Sequence, residues 1–245
     1  MTAGKLQRKI WLVAGSREAR GLLHDDFHHF RVRIEHDGRH VTAVHAETRR
    51  GPFSLCPAAG AELQALVGVE LTPRASRIFA GIDARLQCTH QYDLAAFTIG
   101  TAFRGENRQY ELTVTDPVDG LSRAVLLRDG VRILEWQVRN YAIEGPPPYA
   151  GLGLGHGFTD WVSRNLDDPE AEAALVLRRG VFVTRGRSLR AILVESRNAP
   201  ATGGCWVQQP ERATLAIRPV DVIRDYSDTG VPLDENDQAW LACVQ

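Results

Sequence analysis

The chain carries one methionine and two lysines, Lys5 and Lys9, so arginine supplies nearly all of its positive charge. Neither sign of charge is in excess: 29 Lys and Arg face 30 Asp and Glu, for a formal net charge of −1. That balance leaves no basic footprint for nucleic acid, and basic residues gather only in short runs such as Arg49-Arg50 and Arg178-Arg179. No apolar run approaches the length of a membrane span. The first residues, Met1 to Lys5, contain no apolar signal core, and the expected location is cytoplasmic. Four cysteines, Cys56, Cys88, Cys205 and Cys243, stand far apart and none forms a C-x-x-C pair. This argues against zinc ribbons and redox motifs and predicts buried thiols. The sequence has neither an H-E-x-x-H run nor a G-x-S-x-G elbow, which removes the usual signatures of zincins and serine hydrolases. A hydrophobic content of 44% with 24% charged residues is that of an ordinary globular protein, forming one large domain or two small ones.

What is present is organised around residues 25–50. Asp37-Gly38 is a two-residue turn signal, because both central positions of a type I′ turn need φ > 0. Alternating residues flank it. A two-residue turn would pair His36 with Arg39, Ile34 with Val41, Val32 with Ala43, Phe30 with His45 and His28 with Glu47. In that register the apolar face of Ile34, Val41, Val32, Ala43 and Phe30 continues into Asp26, His28, His45, Glu47 and Arg49. An apolar face ending in titratable groups resembles one wall of a pocket, although such a cluster can equally run out into solvent.

A second Asp-Gly turn lies 92 residues on, at Asp129-Gly130. Each turn is preceded by a strand candidate (residues 9–13 and 110–114) and followed by a proline break (Gly51-Pro52 and Gly145-Pro146). A helix-like stretch comes after each break. The expected fold is therefore α+β: a duplicated unit of antiparallel strands and a hairpin followed by helices, related by a pseudo-twofold axis. Residues 1–104 form the first repeat, 105–195 the second, and 196–245 an extension within one compact domain. The offset places Glu135, Gln137, Arg139 and Tyr141 where Ala43, His45, Glu47 and Arg49 stand, so two polar strand faces could converge on one cavity. They could also both face water.

Along the chain, residues 15–25 read as a loop and Ala58–Val67 as a helix. Thr72-Pro73 starts another helix. Thr89 could cap a helix whose first turn holds His90, Gln91, Tyr92 and Asp93, a crowded polar helix start. Residues 144–158 are rich in proline and glycine. Gly151, Gly153 and Gly155 give G-x-G-x-G but lack a Lys-Ser ending, so a flap carrying Tyr149 and His156 is expected in place of a phosphate loop. Asp168-Pro169 starts a helix over Ala171–Leu177. Residues 180–194 read as strand-turn-strand or strand-turn-helix around Arg185-Gly186-Arg187. Residues 206–208 and 214–218 read as further strands that could close a sheet or a homodimer. The tail, 225–245, reads as acidic and mostly irregular.

Cys56-Pro57-Ala58, Leu66-Val67-Gly68 and Cys88-Thr89-His90 resemble a bacterial family known only as a domain of unknown function, family 2889, over about residues 40–100. Relatives commonly continue Cys-Thr-His-Leu, whereas this chain has Cys-Thr-His-Gln-Tyr-Asp. Most members have no established activity. The resemblance implies that longer members occur among bacterial degraders of lignin-derived aromatics and include cofactor-free lyases or decarboxylases.

Three chemistries are compatible with these residues. In a lyase without cofactors, acting on a small phenolic aromatic, His45 would be the general base, oriented by Glu47. Arg139 would hold an anionic group. Tyr141 or Tyr92 would donate a proton, and His90 would join the catalytic set. Gln137, Tyr149, His156 and Arg49 would contact the substrate. Alternatively, His28, His45 and Glu47 form a two-histidine, one-carboxylate set suited to a metal-dependent hydrolase or oxygenase. A duplicated sheet around a cavity would also serve a small-molecule binding protein with no chemistry.

Overall fold

The computed structural model describes residues 4–188 and 197–244. It is a mixed α+β architecture. The strands are β1 (Lys5–Ala14), β2 (Glu18–Asp25), β3 (His29–His36), β4 (Val41–Arg50), β5 (Arg108–Thr115), β6 (Leu121–Arg128), β7 (Val131–Arg139) and β8 (Ala142–Gly145). They form an eight-stranded antiparallel sheet in the order β4-β3-β2-β1-β5-β6-β7-β8. The helices are α1 (Ala75–Gly81), α2 (Thr89–Arg104), α3 (Phe158–Asn165), α4 (Asp168–Ser188), α5 (Pro210–Ala213) and α6 (Glu235–Ala242), with a 3₁₀ segment over Ala58–Leu66. Among the described residues no helix is long and apolar enough to cross a membrane. The chain divides into two compact units. The larger holds Ile10–Arg108, Ser196–Arg224 and Pro232–Gln245, and the smaller Met1–Lys9, Gln109–Glu195 and Asp225–Val231.

In the larger unit, α2 packs on β2 and β3. Phe30, Val32 and Ile34 of β3 are fully buried with Ala19 and Leu23 of β2. Cross-strand partners share a face, so Ala19, Gly21 and Leu23 stand with Ile34, Val32 and Phe30 beneath the helix. Gly21 allows this approach: a Cβ there would lie 2.2 Å from Thr98 Oγ1 and 3.0 Å from a Leu94 methyl. The helix ends at Gly105, whose φ of 67° supplies the left-handed cap. The opposite face of β2 and β3 carries Glu18, Arg20, His24, His29, Arg31, Arg33 and Glu35, and α6 packs against β2.

The β3–β4 turn departs from the expected geometry. It holds four residues, Asp37–His40, and His36 pairs with Val41, with a register shift between Glu35 and His36. Asp37 causes this, because its Oδ1 accepts the N–H groups of Arg39 (2.8 Å) and His40 (2.7 Å) and closes a longer Asx turn. His45 therefore pairs with Arg33 and Glu47 with Arg31, in place of the expected Phe30 and His28. The longer turn and the irregularity beside it together shift the register by an odd number of residues, which moves both side chains to the face opposite Phe30. The second hairpin does turn in two residues, with Asp129 at φ 53° and Gly130 at φ 80° between paired Arg128 and Val131.

Other expectations also need correction. Residues 18–25 are a strand, β2, buried along its whole length. Its sequence, EARGLLHD, hides the strand because both faces are covered and neither is cleanly apolar. β2 also stands between β1 and the first hairpin, β3–β4, whereas β5 leads directly into the second, β6–β7, so the 92-residue offset aligns the turns but not the strand order. Residues 180–188 continue α4, with Arg185-Gly186-Arg187 inside the helix; residues 189–194 lie outside the described residues. Thr184 Oγ1 donates to Gly180 O at 3.1 Å, satisfying its hydroxyl within the helix. The C-terminal strands do not form: Trp206–Gln208 is a 3₁₀ turn, and Ile217 makes only an isolated bridge to Asn198. The tail contains α6, capped by the Asp234 side chain accepting from Asp237 N.

Candidate functional site

The β2–β3 turn builds the first constellation, from residues of the larger unit. Asp25 Oδ1 accepts the N–H groups of Phe27 (2.7 Å) and His28 (2.8 Å), while Asp25 N donates to His28 O (2.8 Å). Arg50 Nη1 donates to Asp26 O (2.7 Å) and Val222 O (3.0 Å), holding the turn from β4. The same carboxylate meets the His28 ring, with Nδ1 at 3.0 Å from Oδ1 and 3.2 Å from Oδ2. The His28 ring stacks on His90 at 3.9 Å between centroids. His90 stands in the first turn of α2, so the helix and the turn bring two imidazoles together. Asp25 and His28 are buried, and His90 is half-buried.

A second cluster lies on the opposite face of the same two strands. His24 and His29, cross-strand partners, stack at 4.2 Å with their rings 11° from parallel. His24 Nδ1 lies 3.1 Å from Pro232 O. His29 Nε2 lies 2.9 Å from Asp237 Oδ2. Asp237 Oδ1 accepts from Arg31 Nε at 2.9 Å and Nη2 at 2.5 Å. Arg31 and Arg20 both lie over the Trp240 ring, at 5.1 and 5.3 Å. Burial lowers the His24 pKa to about 4, with His29 and Arg50 adding to the shift. Burial also lowers that of His29, against the opposing pull of Asp237.

A third feature belongs to the smaller unit, a cleft of about 220 Å³ lined by Val114, Ser122, Val138, Asn140, Tyr141 and Thr184, among others. Asn140 and Tyr141 form the β7–β8 turn with φ of 48° and 65°, an unusual conformation for an aromatic residue. Tyr141 stacks on Phe182 at 5.5 Å.

The structure separates most of the residues expected to form one site. His45 is exposed and lies 3.2 Å from Glu35. Glu47 and Arg49 are exposed and paired with each other at 3.3 Å, and Glu47 also approaches Arg31 at 3.4 Å. His28 stands on the other face of the sheet from His45 and Glu47, so the expected metal set His28, His45 and Glu47 is not gathered. Tyr92 is buried, donates to Ile78 O at 2.8 Å, and burial raises its pKa. Arg139 is bound to Glu144 at 2.6 Å and donates to Asp119 O at 2.6 Å. Gln137 and His156 are exposed. Tyr149 is buried against Trp136 (5.2 Å) and Trp161 (5.9 Å), and burial pushes its pKa up to about 12. Of the expected residues, the structure joins His90 to His28. The spacing Asp25-x-x-His28, an Asx-turn signature, would have identified Asp25 as the partner. Asp234-x-x-Asp237, a cap with its acidic third residue, would have marked α6.

Residues 9–104 match the model of a family described as a protein of unknown function (DUF2889). The matched segment is longer than the stretch carrying the resemblance and spans β1 to α2, including His24, Asp25, His28, His29 and His90. It excludes Asp237, Arg139 and Tyr141. Neither a curated protein nor a solved structure matches the chain.

Proposed function

We propose that the chain is a lyase that breaks a carbon–carbon bond of a phenolic aromatic compound by general acid/base catalysis, with His28 as the base. The buried Asp25–His28 pair stacked on His90 carries this reading. Asp25 accepting from Nδ1 fixes the imidazole tautomer, and proton exchange then passes through Nε2. Asp25 is a positioning residue. His90, half-buried in the first turn of α2, is the second proton carrier. For a substrate with a hydroxymethyl group, His28 removes the hydroxyl proton. The bond to that carbon breaks, formaldehyde leaves, and the electron pair stays on a carbon conjugated with the ring. A proton delivered from the imidazolium of His28, or from His90, completes the product. A carboxylate at the same position leaves as carbon dioxide with the same electron flow. The phenolic ring supplies the delocalisation the step needs. If the Asp-Gly hairpins mark a duplicated unit, the copy around Asp129-Gly130 carries no histidine between residues 121 and 141, and this chemistry belongs to the larger unit alone.

The test is turnover of phenolic dimers bearing hydroxymethyl or carboxyl groups, with formaldehyde and carbon dioxide measured. The expected result is turnover by the wild type and a fall in kcat of roughly 10²–10⁴-fold in a folded His28→Gln variant. Asp25→Asn is expected to shift the pH profile, because the tautomer is no longer fixed. Wild-type rates in His28→Gln would remove His28 as the base.

The cleft beside Tyr141 favours a second reading, binding of a small molecule without chemistry in the smaller unit. In that case a ligand that protects Tyr141 from modification is recovered unchanged, and Val138→Trp, which fills the cleft, abolishes the protection.

A further inference from the structure

We propose that His24, His29 and Asp237 bind a divalent transition-metal ion, with zinc as the reference case, that fastens α6 to the β2–β3 hairpin. This site is separate from the acid/base pair of the proposed function: it lies on the opposite face of the strands and stands without that reading.

Among the described residues, these three form the one group of histidine, cysteine and acidic side chains whose ligand atoms all lie within 4.8 Å of one another. Their relative exposures are 5%, 8% and 0%, so the donors already stand out of bulk water. His29 Nε2 and Asp237 Oδ2 lie 2.9 Å apart, and a separation wider by only about 0.4–0.7 Å would place them as neighbouring donors on one tetrahedral ion with bonds of about 2.0–2.2 Å. Two imidazoles and one carboxylate suit zinc, iron(II) or manganese and leave further coordination positions.

The surroundings also match a metal site. A ligating histidine typically donates its other ring N–H to a carbonyl or carboxylate, which sets the tautomer. His24 does so through Nδ1 to Pro232 O at 3.1 Å, leaving Nε2 as its ligand nitrogen. Arg31 and His29 Nε2 (3.1 Å) both meet Asp237 Oδ1, while Oδ2 is buried without a hydrogen-bond partner among the described residues and is the oxygen left for an ion. Asn236 Oδ1 accepts from Arg31 Nη2 at 2.6 Å, and Glu47 Oε2 lies 3.4 Å from Nη1, so the guanidinium beside the ion is itself countered. Asp237 is held in register by its N–H donating to Asp234 Oδ1 at 2.7 Å. The ligands join segments 208 residues apart in sequence, so an ion here would add directly to folding stability.

The experiment uses the full chain, stripped with chelator and titrated with zinc by calorimetry. The expected result is one zinc per chain and a thermal midpoint that rises with zinc and falls again with chelator. His24→Phe keeps a ring stacked on His29 but removes a donor, so a folded variant is expected to lose affinity about tenfold or more. Asp237→Asn should weaken binding likewise. His40→Ala, at a half-buried turn histidine outside the cluster, should bind as the wild type does. Failure of the wild type to take up zinc, cobalt or manganese stoichiometrically would overturn the proposal. Undiminished binding by His24→Phe would overturn it as well, and His29–Asp237 would then be a proton-bound ion pair.

Discussion

At the residue scale, burial decides which histidines matter. His36 ends β3 with both ring nitrogens buried and without a hydrogen-bond partner among the described residues. Burial lowers its pKa below 6.5, opposed by Asp37 and aided by Arg17. The folded chain therefore holds this ring neutral, whereas the unfolded chain takes up a proton as pH falls through about 6.5. Unfolding binds protons in that window, so stability drops as pH drops below 6.5. His24 and His29 act in the same direction, and His24 extends the window to about pH 4. His36→Leu removes one of the three contributions, leaves no unsatisfied ring nitrogen, and is expected to flatten the slope without abolishing it. Urea unfolding at pH 7.5 and pH 5.5 measures this; an unchanged pH dependence would mean that His36 is solvated in the fold. Nothing in the sequence around His36 separates it from exposed His45, because both sit on alternating strands and differ only in what packs over them.

At the scale of elements, turn chemistry set what was legible. Asp129-Gly130 turned as its dipeptide predicts, whereas the same dipeptide at Asp37-Gly38 sits in a four-residue turn closed by the Asp37 side chain, and the irregularity between Glu35 and His36 carried His45 and Glu47 away from the expected pocket wall. The existence of the hairpins, α2 and the start of α4 could be read from local signals. β2 could not, since a strand covered on both faces loses its alternation. α4 ran through Gly180 because the helix needs a small residue there: a Cβ would lie 2.6 Å from a Leu112 methyl. Gly21 plays the corresponding part in the larger unit, between β2 and α2. Gly21→Val is expected to force α2 off the β2 face and cost roughly 1–3 kcal/mol by overpacking. Gly105→Ala at the end of the same helix strains only the cap and should cost about 1 kcal/mol. Denaturant midpoints of the two variants give the comparison, and equal losses would mean that Gly21 is not a contact point of the helix.

At the scale of the whole molecule, the larger unit is assembled from three stretches of chain, and its polar sheet face is completed from the far end of the sequence. No local pattern could show this. His24 and His29 read as a pair of polar strand residues until α6 brings Asp237 and Trp240 to them, across more than 200 residues of sequence. For the same reason the candidate site was legible only in part: His28 and His90 stood in conspicuous polar stretches, but their contact is tertiary. The dependence on α6 can be tested directly. Ending the chain at Val231 removes Asp237, Asn236 and Trp240, and leaves Arg31 and His29 buried beside no counter-charge from α6. Removing one partner of a buried ion pair costs roughly 3–5 kcal/mol, a large share of the 5–15 kcal/mol that holds a typical domain folded. With chelator present, so that no bound ion contributes, the truncated chain is expected to unfold at a markedly lower urea concentration than the full chain. Asp237→Asn should fall between them, because it loses the charge and keeps the helix and Trp240. If the truncated chain unfolds at the same midpoint, α6 is a peripheral cover, and the ion pair beneath it contributes little to the fold.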